Sequence, residues 1–486
     1  MAKHSEAQKK LFDALHQSRT EDFKTFNKKS YRGVWSSIID KYPESAHFIY
    51  ELLQNADDAE ATEVHIILKK DRILFKHNGS KHFDITTDDA EPIGDINSIT
   101  GIGDSSKVDT QNKIGKFGVG FKAVFQYTET PEIYDDVFKF KIENFIIPTL
   151  LPHDHPERRE GETLFVFPFK NEVKSYQEIL RRLDKLQNPI LFLHHIQRIK
   201  WRVDRNKDIL GTEIGYSKEI IDKKEFDDGV LLERYKLIEP LKNNEIFLFS
   251  KDVNITDEKG VKTTHVINVG FYYDAVNKRL ITENKQNIYC FFPTKETFQT
   301  CFVSHAPFLL TDNRQNLKPD EKLNRNLIGL LAELAAKAVV YLRDYDTGLG
   351  QLLINENLTE IIPNYTKNYW QEFDPLFELP IKEAFEEILK KERLLLSRNG
   401  KYLSIKEAYK GSPRELVDLL NQKQLADLLK EELEENFDYL DEDVLLEEND
   451  VDFLKWELAQ NINNQRNGLY NEIEEFSSEF FARLII

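Results

Sequence analysis

The chain has 486 residues, 40% of them hydrophobic and with 33 Phe and 19 Tyr, enough apolar surface for two or three packed cores and too much for a disordered protein. Its formal charge of -18 argues against direct nucleic-acid binding as its main work, because phosphate contacts need clustered Lys and Arg. Cys290 and Cys301 are the only cysteines, which excludes a disulfide framework and a cysteine-based zinc site, and with no signal-peptide or membrane-spanning run a soluble cytoplasmic protein is expected.

In chain order, the first thirty or so residues place Leu11, Phe12, Leu15, Phe23 and Phe26 at helical spacing, which predicts an amphipathic lead-in. The helical pattern strengthens from Tyr31 to Ala59, with a break at Tyr42-Pro43 where proline can start a new helix. Within it Phe48, Leu52, Leu53 and Ala56 share one side, which must face a core. At Thr62 the period switches, and two short β-type runs follow, Val64 to Leu68 and Ile73 to Lys76, joined by a charged turn. An aperiodic stretch from Ser80 to Asn112 leads into KIGKFGVGFKAVFQY, where three glycines precede a helical run. ETLFVFPFK, residues 162 to 170, reads as an apolar strand.

Residues 171 to 320 alternate one helix, YQEILRRLDKL, with the strands IQRIKWRV, LLERYKLI, EIFLFS, HVINVGFYYD and NIYCFFPT. That α+β pattern predicts a middle domain separate from an N-terminal domain over residues 1–170. Residues 321–486 read as mainly helical, starting with LNRNLIGLLAELAAKAVVYL, and the acidic run 431 to 452 reads as a solvated helical face. The expected fold class is α+β, with a mainly helical C-terminal region.

Two motifs carry chemistry. On a helix over ELLQNADDA, Glu51 and Asn55 project from one face with Asp58 a turn further on, giving a base for an attacking water, a hard amide oxygen for Mg²⁺ and a hydrogen-bond acceptor. Alone, this is no more than the wet side of an amphipathic helix. KIGKFGVGFK supplies the complement: backbone N–H groups freed by Gly115, Gly118 and Gly120 at a helix start, with Lys116 and Lys122 for negative charge. A glycine-rich loop by itself is a weak signal. The pair, about sixty residues apart and separated by strands and a polar loop, points to one phosphate site.

The order ELLQNADDA, HNG, polar loop, GKFGVGF and closing strand resembles the GHKL, or Bergerat-fold, ATPases, which include type II topoisomerases, MutL, histidine kinases and the ninety-kilodalton heat-shock chaperone. Within that superfamily YPESAHFIYELLQNADDAEATEV and FFPTKETFQTCFVSHAPFLLTDNRQNL are most similar to the sacsin N-terminal ATPase-like family. The resemblance rests on residues 40 to 125 and extends to 160 to 170 and 288 to 320. It implies a Bergerat α/β sandwich over residues 1–170, a transducer-like middle domain, and ATP with Mg²⁺ as cofactors.

Position by position, the resemblance implies that Glu51 activates the hydrolytic water and Asn55 holds Mg²⁺, while Asp58 and Ala59 line the pocket and Gly79 forms its floor. Ser105, Ser106 and Lys107 would belong to a lid, and Gly115, Lys116, Phe117, Gly118, Val119, Gly120, Phe121 and Lys122 would cradle the phosphates. Thr163 matches a threonine near the base. His77 stands where many relatives have an Asp that accepts from the adenine amino group; a neutral imidazole nitrogen or the Asn78 side-chain oxygen can accept instead. A cation from the middle domain is expected, with Arg314 favoured over Lys295 for its planar charge. His305 stands where the chaperone's catalytic loop has arginine.

The expected activity is therefore slow, Mg²⁺-dependent ATP hydrolysis that drives a change of shape or of partner binding, in a chaperone-like role or a prokaryotic defence or stress system. A protein client or partner subunit is expected, as is nucleotide-dependent homodimerisation through the N-terminal segment. A nucleotide-sensing interaction module without hydrolysis is the alternative, favoured by His77 and His305 and disfavoured by Glu51 and Asn55. A histidine kinase would need a helical hairpin carrying a phosphoacceptor; His16 lies in a helix with too few residues before it. A topoisomerase or MutL would need a basic DNA-facing domain, which the charge opposes.

Overall fold

The computed structural model describes residues 5–26, 48–101, 121–204, 211–240, 243–256, 262–283, 285–311, 316–318, 320–348, 358–363 and 375–396, with short stretches at 402–404, 408–410, 452–453 and 474–475. The lid residues Ser105, Ser106 and Lys107, the glycine loop from Gly115 to Gly120, and Arg314 lie outside the described residues. So does the acidic run apart from Asp452.

The N-terminal part is built on helices α1 (Glu6–Phe26), α2 (Phe48–Asp58), α3 (Asp95–Thr100) and α4 (Glu172–Asp184), with a 3-10 turn at Phe121–Gln126. Its strands are β1 (Glu63–Leu68), β2 (Arg72–His77), β3 (Glu132–Tyr134), β4 (Lys139–Glu143), β5 (Ile147–Leu150) and β6 (Thr163–Pro168). β7 (Arg198–Val203) returns parallel to β1, and from it β8 (Ile214–Glu225), β9 (Val230–Ile238), β10 (Asn243–Thr256) and β11 (Lys262–Asp274) continue antiparallel. β12 (Arg279–Leu280) pairs with the end of β11, and the edge carries β13 (Gln286–Cys290), β14 (Phe292–Phe298) and β15 (Val303–His305), so one mixed sheet runs from β14 to β5. The fold is mixed α+β, as the alternation of periods predicts.

Two large apolar clusters divide the core. One joins Phe12 and Leu15 of α1, Phe48, Leu52, Leu53 and Ala56 of α2, and the helix-facing side chains of β1, β2 and β6. The other joins β9 to β11 with α5 (Lys322–Gly348) and α6 (Pro375–Lys391). Beyond α6 the described elements are short strands, β16 (Leu395–Leu396) and β17 (Tyr402–Leu403) pairing with each other and β18 (Ala408–Lys410) lying parallel to the 452–453 and 474–475 pairs.

The change of period after ELLQNADDA has a local cause. Glu60 takes a left-handed conformation (φ 61°), its N–H donating to the Asp57 carbonyl (2.8 Å) while Ala61 N–H donates to that of Ala56 (2.9 Å). This is a Schellman stop, and it satisfies carbonyls that the helix end would otherwise leave bare. Ala61 is fully buried behind it, and β1 starts two residues later.

Two strand readings change. NIYCFFPT, read as one strand, is two: Phe291 sits at φ 63° and folds β14 back on β13. The run after the glycine loop, read as helical, is a 3-10 turn of six residues. β8 escapes a periodicity reading because its outer half, KEIIDKKE, is charged and exposed; pairing with β9 holds it.

Candidate nucleotide site

α2 carries Glu51, Asn55 and Asp58, all half-buried, on the side away from Leu53 and Ala56. Its C-terminal end meets the ends of β2 and β6. There His77 lies directly cross-strand from Thr163, both buried, on the sheet face shared with Phe75 and Phe165. Gly79 follows under the helix end. A Cβ on it would lie 2.6 Å from the Ala59 carbonyl oxygen and 2.9 Å from His77 Nδ1, so only glycine fits this approach. Ala59, His77, Gly79 and Thr163, which the resemblance assigns to one pocket, thus converge at the foot of α2. Phe121 and Lys122 enter from the 3-10 turn, where Phe121 packs 6.1 Å from Phe165, ring to ring.

Lys122 donates to the Phe145 carbonyl (2.8 Å), and burial of its amine, with Arg19 nearby, draws the pKa down to about 7. An anion brought close would restore the proton. Arg19 of α1 forks onto Asp88 (2.7 and 2.8 Å), whose Oδ1 also accepts from Asn97 of α3 at 3.0 Å, so α1 is tied to α3 and the segment before it.

The residue that periodicity overlooks is Asp57. Its buried carboxylate accepts the backbone N–H groups of His194 (2.9 Å), His195 (2.8 Å) and Ile196 (2.9 Å), with His194 Nδ1 3.6 Å away. Burial alone would push its pKa up; the His194 side chain and the three N–H groups outweigh that and hold it below the usual carboxylate range. Asp57 therefore clamps the end of α2 to the turn that enters β7. The signal was present: it follows Leu53 by four, so one acid of the doubled pair falls on the apolar stripe. The adjacent His194 and His195 contribute amides to this clamp.

The second contact with the middle strands is Tyr50, whose ring stacks on Phe292 at 4.2 Å and 13°. This sets the β13–β14 hairpin against α2, next to Glu51. Exposed Lys295 lies three residues along the same strand.

His305 supplies no cation. Asn268 Nδ2 donates to Ser250 Oγ (2.6 Å), so its Oδ1 accepts from His305 Nδ1 (2.8 Å), and Nε2 is a buried lone pair without a hydrogen-bond partner. The ring stacks on Phe192 (4.7 Å), and burial, with His194 nearby, lowers its pKa to about 3. His77 is lowered to about 4 by burial, with His82 nearby. Both groups titrate lower when folded than when unfolded, so stability is full above the unfolded value and falls as pH drops below about 6.5 toward the folded values. Denaturant titrations at neutral pH and at about pH 5 are expected to differ by about 2 kcal/mol for each of these histidines, His305→Gln removing its share. A pH-independent midpoint would contradict their burial as neutral rings.

Residues 28–142 match the family model described as the sacsin domain. This segment is similar to the sacsin domain. Homology extends over more of the chain: the Arabidopsis thaliana protein NO VEIN is 25% identical over 338 residues, 63% of this chain and 11% of that protein. Human sacsin is 31% identical over 121 residues, 21% of this chain and 2% of sacsin. The chain thus spans only a small fraction of either relative's length. A crystal structure of the N-terminal domain of a DNA repair protein aligns over 56% of this chain and 88% of its own at 13% identity with a TM-score of 0.31, a likeness that carries no argument. The matched segment contains Glu51, Asn55, His77, Gly79 and the glycine loop, the residues on which the resemblance to a GHKL-type module rests. Among the described residues no helix is long and apolar enough to cross a membrane.

Proposed function

We propose that the sacsin-like segment binds a nucleoside triphosphate with Mg²⁺, ATP being the nucleotide of the family resemblance, hydrolyses it slowly, and passes the bound state to the middle strands. The observation that supports this best is the convergence of Ala59, His77, Gly79 and Thr163 at the foot of the helix bearing Glu51 and Asn55. The donor set fits the ion: one amide oxygen, Asn55, beside phosphates and water is how Mg²⁺ is commonly held. When bound, Mg²⁺ neutralises and orients phosphate oxygens. Asn55 would hold it, Glu51 would take the proton of the attacking water, and the glycine-loop amides with Lys116 and Lys122 would supply donors and positive charge for the phosphates.

The stack of Tyr50 on Phe292 supports the β13–β14 hairpin as the element that senses occupancy. Arg314 is the favoured cation of this reading, and the exposed Lys295 of this hairpin is the second candidate. Lys295→Ala is expected to lower kcat about tenfold to a hundredfold with binding little changed; a change confined to KM would place Lys295 elsewhere. A protein client or partner subunit, nucleotide-dependent homodimerisation and a chaperone-like or defence role belong to this reading.

Phosphate release from ATP and GTP in parallel, with and without Mg²⁺, tests it. Mg²⁺-dependent release is expected. Saturable binding without release would favour the second reading, a nucleotide-sensing module, for which the neutral, buried His305 is the specific observation.

A further inference from the structure

If a base lies against HNG, as the resemblance implies, it meets an acceptor problem that the sequence conceals. A purine with a 6-amino group is read by an acceptor, and HNG offers two side chains able to accept, His77 and Asn78. The structure commits both acceptors elsewhere. Asn78 Oδ1 takes the backbone N–H groups of Thr62 (2.9 Å) and Glu63 (2.8 Å), and its amide donates to Thr62 Oγ1 (2.8 Å), so Asn78 ties the turn to the start of β1. His77 Nδ1 takes the N–H of Gly79 at 3.1 Å.

That bond sets the tautomer. An imidazole kept neutral by burial and accepting at Nδ1 carries its proton on Nε2. The ring is locked as well: Phe75 and Phe165 pack on it at 6.4 and 6.0 Å, and the close approach of Gly79 to Ala59 fixes the turn that supplies the donor. His77 therefore offers a base only an N–H. Thr163, directly across the strand pair, offers a hydroxyl that donates or accepts as required.

We infer that His77 makes this a pocket for a 6-oxopurine nucleotide, guanine or hypoxanthine, in preference to adenine, an inference that rests on the nucleotide reading of the same site. An N–H facing a 6-oxo group makes a hydrogen bond, whereas facing a 6-amino group it sets donor against donor in a buried place. Leaving such a buried pair unmatched costs more than the bond itself gains, so the discrimination comes mainly from rejecting adenine.

The test is equilibrium binding of the Mg²⁺ complexes of GTP, ITP and ATP to the full chain and to His77→Asp. The wild type is expected to bind GTP and ITP about tenfold or more tighter than ATP. ITP matching GTP would show that the 6-oxo group is read, not the 2-amino group. His77→Asp, which restores an acceptor, is expected to reverse the order toward ATP. The wild-type ratio decides the matter even where the variant fails to fold. ATP bound as tightly as GTP and ITP, or tighter, overturns the inference while leaving the nucleotide site standing. Absence of binding by all three removes both.

Discussion

Glu51→Ala is expected to bind nucleotide as the wild type does and to release phosphate roughly 10²- to 10⁴-fold more slowly. The separation of the two effects follows from where Glu51 sits. α2 is held by Phe48, Leu52, Leu53 and Ala56 in the core, by the Tyr50–Phe292 stack, and by the Asp57 clamp, none of which uses the Glu51 side chain as packing. Alanine is also the best helix former, so the helix persists. The proton acceptor is lost while the core contacts of α2 remain. Single-turnover phosphate release beside a binding titration measures both quantities, and turnover equal to wild type would show that the base is another residue.

The largest effect on stability is expected from Asp57→Ala. Three backbone N–H groups would lose their common acceptor, a buried carboxylate, at a cost of about 3–5 kcal/mol. The loss is local as well as global: the turn at 194–196 feeds β7, and β7 is the strand that pairs with β1 to join the N-terminal strands to the rest of the sheet. Because the folded pKa of Asp57 is depressed, the stability it contributes is present above the ordinary carboxylate pKa and is lost only as pH falls through the lower, folded value. Asp57→Asn, which keeps one acceptor oxygen, should recover part of the loss. Urea unfolding at neutral pH decides it; a cost of 1 kcal/mol or less, within the range of ordinary surface substitutions, would mean that water reaches those amides.

Much of the fold was legible because burial imposes a period. The apolar stripe of α2, the two runs of β1 and β2, and the strand at 163 to 168 sit within a residue or two of where the pattern places them. β8 was not legible because Glu219 to Glu225 are exposed on both faces, so no alternation is selected there. The break at Phe291 was hidden because the aromatic run continues through a backbone reversal.

At the site, the type of residue was legible and its commitments were not. ELLQNADDA and HNG name groups able to act on a triphosphate, yet which atoms remain available depends on contacts far along the chain. Asp57 is engaged by residues almost 140 positions away, and Asn78 by the start of β1. His305, which stands where the resembling loop has a cation, is kept neutral by burial under the Phe192 ring with His194 nearby, neither adjacent in sequence. A sequence motif gives chemistry; the partners decide its sign.

The central claim is that α2 and the glycine loop close on one triphosphate. Calorimetric titration of the purified chain with the Mg²⁺ complexes of ATP and GTP, repeated on Asn55→Ala, addresses it most directly. One saturable site per chain, lost or strongly weakened in Asn55→Ala, is the predicted result. No uptake of either nucleotide, or uptake that Asn55→Ala leaves unchanged, would contradict it.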